Sequence, residues 1–558
     1  MKFAATFLVF VCLLLNGTLF LPDSIDTKST KSTAVAYFNA WTVGWNADRL
    51  KHGMQGYWDS PIFYPVDRTF AFSEPQPATL LVAPLVWLSD SPLVAYKAWL
   101  VICLVANGMG GVLICRRLGH RQATQWVAGF SMILLPMSQQ RIDVIQLVPV
   151  WGMLWFFSTL FLLNRRCSAG RAIECGVSFA ACFALCLHHS LFLSLVMSIA
   201  CVVFLPKLKN GSFVISSVIA IVVAGVLICP MVLPVLKASQ EHGFVRSVKI
   251  VERLSAYPSH YIASQDNSWL DPLNWFDGLK PDAKKSRRFH LGWIRMLFAV
   301  VAVVFCFRQK QNRRWTMFLI LTAAAGFVFS LGLHLNLAGW KPWETVQQYV
   351  PGFQQVRNVF RFAWFVQIAL MLLALSGFDA LVNAWDRRRA KTGSGVFAKA
   401  MMIMLGCLLA VEVWPEPATA HYVPAAHKHR QWVNFVQQEC RAGQPIVCLP
   451  MSTGNRLKEM EIETRWMLLG LGHSAPMLNG YSGFFPKPYN HIVSVVNTAQ
   501  ASDQLFAELL FRKVTLIVVA RGFPISHQMK TFQSENFELT EVFADDVGID
   551  VYRLRSKQ

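Results

Sequence analysis

Between Pro22 and about Pro77 the sequence gathers Asn39, Trp41, Trp45, Asp59, Tyr64 and Glu74 in one polar, aromatic loop between segments too apolar for a soluble chain. A carboxylate here suits a general base, which accepts a proton from a hydroxyl as that oxygen attacks a substrate. The candidate bases are Asp59 in WDSPIFYP and Glu74 in FAFSEP, and the plainer alternative is that both are solvated loop acids. Asp48 and Asp67 each adjoin an arginine and read as its ion-pair partner.

Other groups fit substrate binding. Arg357 and Arg361, in VRNVFRFAW, read as one turn apart on a helix face at the outer start of an apolar span. Arginines at a helix N-terminus suit a phosphate, through bidentate hydrogen bonding and the helix dipole; snorkelling or anionic-lipid contact is the alternative. Lys284, Lys285, Arg287 and Arg288 carry the same two readings, and a cluster this exposed is more often lipid-facing. His188 and His189, and Arg141 with Asp143, fall near outer ends of spans, where ionisable groups are functional or paired. Asp379 and Glu412 lie in or beside spans with no obvious partner. In NGYSGFFP (479–486), Tyr481 and Phe484 are placed to stack on a sugar, or the run is a rigid structural loop whose glycines permit close approach.

The elements that must position these residues are membrane helices. The chain of 558 residues is 54% apolar, 13% aromatic and only 15% charged, against about 25% charged in a globular domain. Apolar runs of roughly 17–25 residues recur, long enough to cross about 30 Å of hydrocarbon. About eleven spans follow: 4–21, 93–115, 122–138, 145–163, 172–187, 190–205, 212–237, 291–307, 315–333, 359–383 and 397–415. The short pair at 172–187 and 190–205 reads as a tight hairpin around His188 and His189.

The net charge of +20 invites a nucleic-acid partner, but its placement argues against one. The clusters Arg116/Arg117/Arg121, Arg165/Arg166/Arg171, Lys207/Lys209, Arg308/Lys310/Arg313/Arg314 and Arg387/Arg388/Arg389/Lys391 fall between alternate spans. Short loops rich in Lys and Arg are retained in the cytoplasm. The N-terminus is then inside, and loops 22–77, 238–290 and 334–358 and the segment 416–558 are outside. Only Lys2 precedes the first apolar run, and no small-residue cleavage site precedes Pro22, so that run reads as an uncleaved span. In loop 334–358, Trp340 and Trp343 read as headgroup-level anchors of an interfacial helix.

The segment from 416 reads as a small α/β domain. IVCLP (446–450) and TLIVVA (515–520) read as buried strands, 539–544 and 549–554 as two more, and 428–439 and 502–512 as helices. Of 13 cysteines, all but Cys440 and Cys448 lie in or beside apolar spans; those two are positioned to pair in an oxidising compartment. No CxxC or HExxH spacing occurs, so no cofactor is named and a divalent cation stays open.

Several motifs in order resemble a large group of poorly characterised bacterial polytopic membrane proteins of the GT-C glycosyltransferase superfamily. They are Asn39-Ala40-Trp41 with Trp45, IFYP (62–65), TFAFSEP (69–75), LLVAPLVWL (80–88), FSLGLHL, YVPGFQQVRNVFRFAW and LNGYSGFFPKPY. The resemblance covers almost the whole chain. It implies a polyprenyl-phosphate-linked sugar as donor and an acidic residue of the first outer loop as base. The chain departs from the group at two points. The group carries an Asp, in a Gly-Asp-Pro setting, just before Asn-x-Trp, where this chain reads STAVAYFNAW. The group's His-x-Gln after the third span is Val144-Ile145-Gln146 here.

The expected protein is thus a mostly α, GT-C-like bundle (1–415) in a bacterial inner membrane with an extracytoplasmic α/β domain (416–558). It would move a sugar from a polyprenyl-phosphate donor to an acceptor outside. The catalytic residues would be Asp59 and Glu74. The binding residues would be Asn39, Trp41, Tyr64, His188, His189, Arg357, Arg361 and Tyr481. A non-catalytic assembly or scaffold protein and a transporter or flippase are the alternatives.

Overall fold

The computed structural model describes residues 2–15, 24–27, 33–263, 287–307, 312–392, 396–415, 419–423, 426–440, 443–451, 457–499 and 501–557. The expected basic residues Lys284, Lys285, Arg308 and Lys310 lie outside these residues. The chain divides into two compact units, one of residues 1–19, 100–232 and 244–419, the other of 20–99, 233–243 and 420–558.

The first unit is helical. Each expected apolar segment holds a helix, including Lys2–Leu14, Gln122–Ile133, Trp151–Arg165, Ala169–Leu185, Leu187–Phe204, Trp293–Phe307, Arg313–Ser330, Ala363–Thr392 and Val396–Val411. Five helical stretches are long and apolar enough to cross a membrane: Pro92–Leu118, Ile145–Arg165, Leu187–Lys209, Gly211–His242 and Val359–Arg387. The chain is an integral membrane protein. Its helices approach closely at small residues, as membrane helices do without a hydrophobic drive between them. At Gly176 an added Cβ would stand 2.5 Å from the carbonyl oxygen of Ala220, and at Gly377 it would collide with that of Phe298.

Acids with no visible partner in the sequence cap distant helices. Asp379 accepts from the Arg121 N–H and the Thr124 hydroxyl, each at 2.9 Å, at the start of helix Gln122–Ile133. Glu412 accepts from the N–H groups of Ile294 (2.8 Å) and Arg295 (3.2 Å). Both satisfy helix-start donors that have no intrahelical partner.

The second unit holds a four-stranded sheet. Ile446–Leu449 runs parallel to Leu516–Ala520, which pairs antiparallel with Ile549–Ser556, and Phe537–Ala544 forms the edge. The apolar runs IVCL and LIVVA are buried almost throughout, whereas the more polar edge strand FELTEVFA is largely exposed or half-buried. First-loop residues join this layer: Phe63 N–H donates to Asn479 O and Tyr64 N–H to Met477 O, both at 3.0 Å. Helix Ala34–Lys51 packs on helix Leu457–His473, with Gly44 against Leu471.

Local expectations are corrected at four points. The helix break falls at Cys186, so His188 and His189 occupy the first turn of the next helix instead of a hairpin loop. Trp340 is exposed, but Trp343 is buried against Phe353 at 5.8 Å and does not stand at the surface. Val356 to Asn358 is not helical and Val359–Phe362 is a 3-10 turn, so Arg357 and Arg361 do not share an α-helical face. Cys440 and Cys448 are free thiols.

Candidate functional site

In the second unit, helix Ala34–Lys51 is buried along nearly its whole length, from Ala34 to Ala47. Asn39 and Asn46 stand two turns apart on one face. Asn46 Nδ2 donates to the carbonyls of Pro75 (2.9 Å) and Gln76 (3.2 Å) and to Thr79 Oγ1 (2.8 Å). Gln76 Nε2 donates to Asn39 Oδ1 at 2.7 Å. Gln76 has φ +49°, a left-handed conformation that a side-chain-bearing residue keeps only when its surroundings enforce it. The two asparagines enforce it, and they thereby fix the turn that carries Glu74.

Glu74 is only 6% exposed. Asp59 is exposed and its Oδ1 accepts the Arg68 N–H at 2.9 Å. Arg68 ion-pairs with Glu241 at 2.5 Å. The two candidate acids therefore have opposite surroundings, one inside the loop's packing and one on its rim.

The aromatic stripe of the helix builds a wall beside this turn. Trp41 stacks near Phe38 (5.6 Å) and Trp45 (6.4 Å) and meets Phe70 edge-on at 5.9 Å. Tyr481 meets Phe38 edge-on at 5.4 Å. Tyr64 is half-buried on the strand-like segment paired to Met477. The run NGYSGFFP closes over the first loop because its glycines leave room: a Cβ on Gly483 would stand 2.6 Å from Phe72 O, and one on Gly480 2.6 Å from the Phe63 ring. Asn479 has a structural task. Its amide accepts from Cys448 N–H (2.6 Å) and donates to Cys448 O (2.8 Å) and Glu463 (3.1 Å).

In the first unit, Phe360 is the centre of a cationic cluster. The guanidinium carbon of Arg141 lies 5.6 Å from the centroid of this ring and that of Arg287 lies 5.3 Å from it, within cation–π range. Phe289 stacks on the same ring at 5.9 Å. Arg287 is 8% exposed and donates to the carbonyls of Ser255 (3.0 Å) and Arg253 (2.6 Å). Burial, and then the neighbouring positive charges of Arg141 and Arg253, push its pKa down. Arg287, read from sequence as a lipid-facing surface residue, is thus an inward residue; no local pattern marks it. Buried Arg361 follows Phe360 directly, Asp143 is buried nearby in sequence to Arg141, and Arg357 is half-buried. His189 is buried with its ring 5.2 Å from Trp364, while His188 is half-buried.

The structure therefore gathers Asn39, Trp41, Tyr64, Glu74, Asp59 and Tyr481 in one unit, and His188, His189, Arg357 and Arg361 in the other. Sequence reading missed Asn46 and Gln76. Their polar character inside an otherwise apolar helix and next to Glu74 is the signal that marks them. Among the described residues, no group of three or more His, Cys, Asp or Glu side chains is placed to hold a metal ion.

A family model described as "Domain of unknown function (DUF6311)" matches residues 8–413. No curated protein matches the sequence. Among solved structures, the arabinofuranosyltransferase AftD from Mycobacteria shares the fold, with a TM-score of 0.58 and 13% identity over 99% of this chain and 40% of that one. The archaeal oligosaccharyltransferase AglB from Archaeoglobus fulgidus, in complex with an inhibitory peptide and a dolichol-phosphate, matches with a TM-score of 0.51 and 10% identity over 93% of this chain and 69% of that one. This chain thus spans about 40% of the length of the mycobacterial enzyme. The mostly helical membrane architecture expected from the sequence is the fold shared with both neighbours. At such identities the likeness speaks for the fold alone.

Proposed function

The chain belongs to the DUF6311 family, and we propose that it is an integral membrane glycosyltransferase that moves a sugar from a polyprenyl-phosphate donor to an acceptor on the extracytoplasmic face. The observation that carries this reading is the cluster of Arg141 and Arg287 on Phe360, with Arg361 next in the chain. Positive charges brought together away from water call for negative partners; Asp143 acts on Arg141, and a phosphate would add to it. Arginine's planar fork suits a phosphate. A lipid phosphate at membrane depth is the anion a membrane protein meets, and one of the fold's neighbours has a dolichol-phosphate bound.

The chemistry divides into two roles. The acceptor hydroxyl oxygen forms a bond to the anomeric carbon while the bond from that carbon to the donor phosphate breaks. Glu74, buried on its clamped turn, takes the hydroxyl proton. Asp59 is the second candidate for that proton. The leaving phosphate keeps the electron pair; within the first unit Arg141, Arg287 and Arg361 are the groups suited to a phosphate's charge, and within the second Glu74 and Asp59 are those suited to the proton. Trp41, Tyr64 and Tyr481 offer ring faces to sugars; His188, His189 and Arg357 bind around the donor.

The same reading assigns about eleven spans, a cytoplasmic N-terminus, a bacterial inner membrane and an extracytoplasmic α/β domain at 416–558; the alternate placement of the basic loops supports it. A second reading, a non-catalytic assembly protein, is favoured by the absence of any acid between Asp26 and Asp48. The test is transfer from a labelled polyprenyl-phosphate sugar by membranes bearing the wild-type chain or Glu74→Gln. Transfer that is present and lost in the variant supports the enzyme. No transfer by wild type from any such donor favours the assembly protein.

A further inference from the structure

We propose that the second unit carries a glycan-binding cleft apart from Glu74 and its turn. A cavity of about 450 Å³ opens where the end of helix Ala34–Lys51, the short helix Ala83–Ser89 and helices Arg430–Glu439 and Leu457–His473 converge. That volume lies within the range of small-ligand sites, roughly 300–1,000 Å³.

Its lining has the chemistry that a sugar ring requires, an apolar face beside many short-range hydrogen-bonding groups. Trp87 provides the face. It is 47% exposed, and its indole N–H is used up on Ala47 O at 3.1 Å, which fixes the ring. A fixed aromatic offers contact area at little entropic cost. Around it stand Asp48, Lys51, Asp90, Arg430 and Asn434, with carboxylates to accept, ammonium and guanidinium to donate, and an amide to do both. Asp48 is oriented by Arg49 Nε at 2.8 Å. Asp90 and Arg430, both exposed, approach only to 3.5 Å, too long for a strong pair, and so retain bonding capacity for a hydroxyl.

The mixed signs of these charges argue for a polyhydroxylated ligand over a phosphate or a polyanion. Location points the same way. Leu81 and Leu88, on the apolar stretch Pro77–Ser89 beside the cleft, are 74% and 84% exposed. Apolar residues shown to this extent on a short helix suit a bilayer surface. The ligand is therefore a glycan presented at the membrane. This assignment does not require that the chain transfer a sugar, so it stands or falls separately from the proposed activity.

The experiment is saturation-transfer-difference NMR on the full-length protein in lipid nanodiscs. The probes are methyl hexopyranosides, methyl N-acetylhexosaminides and methyl pentofuranosides at millimolar concentration. The wild type is expected to transfer saturation to ring protons of at least one class. Trp87→Ala should abolish that transfer, and Asp90→Ala and Arg430→Ala, both at exposed positions, should weaken it at least threefold without lowering the melting temperature. The cleft assignment is overturned if no glycoside receives saturation, or if transfer persists in full in all three variants.

Discussion

Gln76 donates its side-chain N–H to Asn39 Oδ1 across 2.7 Å with both amides buried, while Asn46 holds the backbone of the same turn. Glu74 owes its place to these contacts. Replacing Asn46 by Leu takes from the Pro75 carbonyl its side-chain donor, at a cost of about 1–3 kcal/mol, while Gln76 O keeps the Thr79 N–H (3.0 Å) and hydroxyl (2.9 Å). Asn46→Leu should therefore lose roughly 1–3 kcal/mol of stability, and Asn39→Leu, which removes the single bond to Gln76 Nε2, no more than that. Thermal unfolding of the detergent-solubilised protein measures both. Equal stability in wild type and Asn46→Leu would remove the clamp from the account.

The two first-loop acids should separate in mutation. Asp59 is exposed and accepts one backbone N–H, so Asp59→Asn should cost at most about 1 kcal/mol and keep most transfer activity. Glu74→Gln keeps the shape but cannot accept the proton, and should lower the turnover by at least about a hundredfold. The reverse ranking in a transfer assay would hand the role of base to Asp59.

Much of the helical framework was legible because a span is a local property: twenty apolar residues announce themselves wherever they occur. The strands IVCL and LIVVA were legible for the same reason. What stayed hidden depends on partners far along the chain. In sequence Glu412 is a lone acid, yet it caps a helix that begins more than a hundred residues earlier, at Trp293. In sequence Arg287 is one more surface cation; Phe360 and Arg141, distant in the chain, supply the surroundings that turn it inward. The spacing of Arg357 and Arg361 promised an α-helical face, but the backbone is non-helical at Val356 to Asn358 and turns into a 3-10 segment at Val359. A four-residue spacing is informative only inside a helix already known to be there.

Arg295 and Glu412 make a reciprocal pair of caps. Arg295 is fully buried and donates to Leu409 O (2.8 Å) and Ala410 O (2.9 Å) at the end of helix Val396–Val411, while Glu412 receives the first N–H groups of helix Trp293–Phe307. Removing either partner leaves a buried charge and open helix ends, at roughly 3–5 kcal/mol. Arg295→Met and Glu412→Leu should each destabilise strongly, and the double variant should lose less than the sum. Additive losses in a double-mutant cycle would show that the two caps act independently.

His473 gives the second unit a pH dependence. Burial pushes its pKa down from 6.5 to about 4, and its Nδ1 accepts the Ala475 N–H at 3.1 Å. The unfolded chain then binds a proton that the folded one refuses, so stability is full above about pH 6.5 and falls as the pH drops toward 4. The loss across that window is up to about 3 kcal/mol. His473→Asn keeps an acceptor for Ala475 and does not titrate, so its melting temperature should fall less steeply between pH 6.5 and 4. Parallel profiles for the two proteins would assign the acid sensitivity elsewhere.

The central claim is that the cationic cluster on Phe360 binds a lipid phosphate. Its most direct test is the equilibrium binding of a polyprenyl-phosphate to purified wild type, Arg287→Ala and Arg361→Gln. Saturable binding by wild type, weakened about tenfold or more in each variant, is the predicted result, since a charge-assisted bond contributes about 1.5–3 kcal/mol. No binding by wild type, or the same affinity in all three proteins, would contradict it.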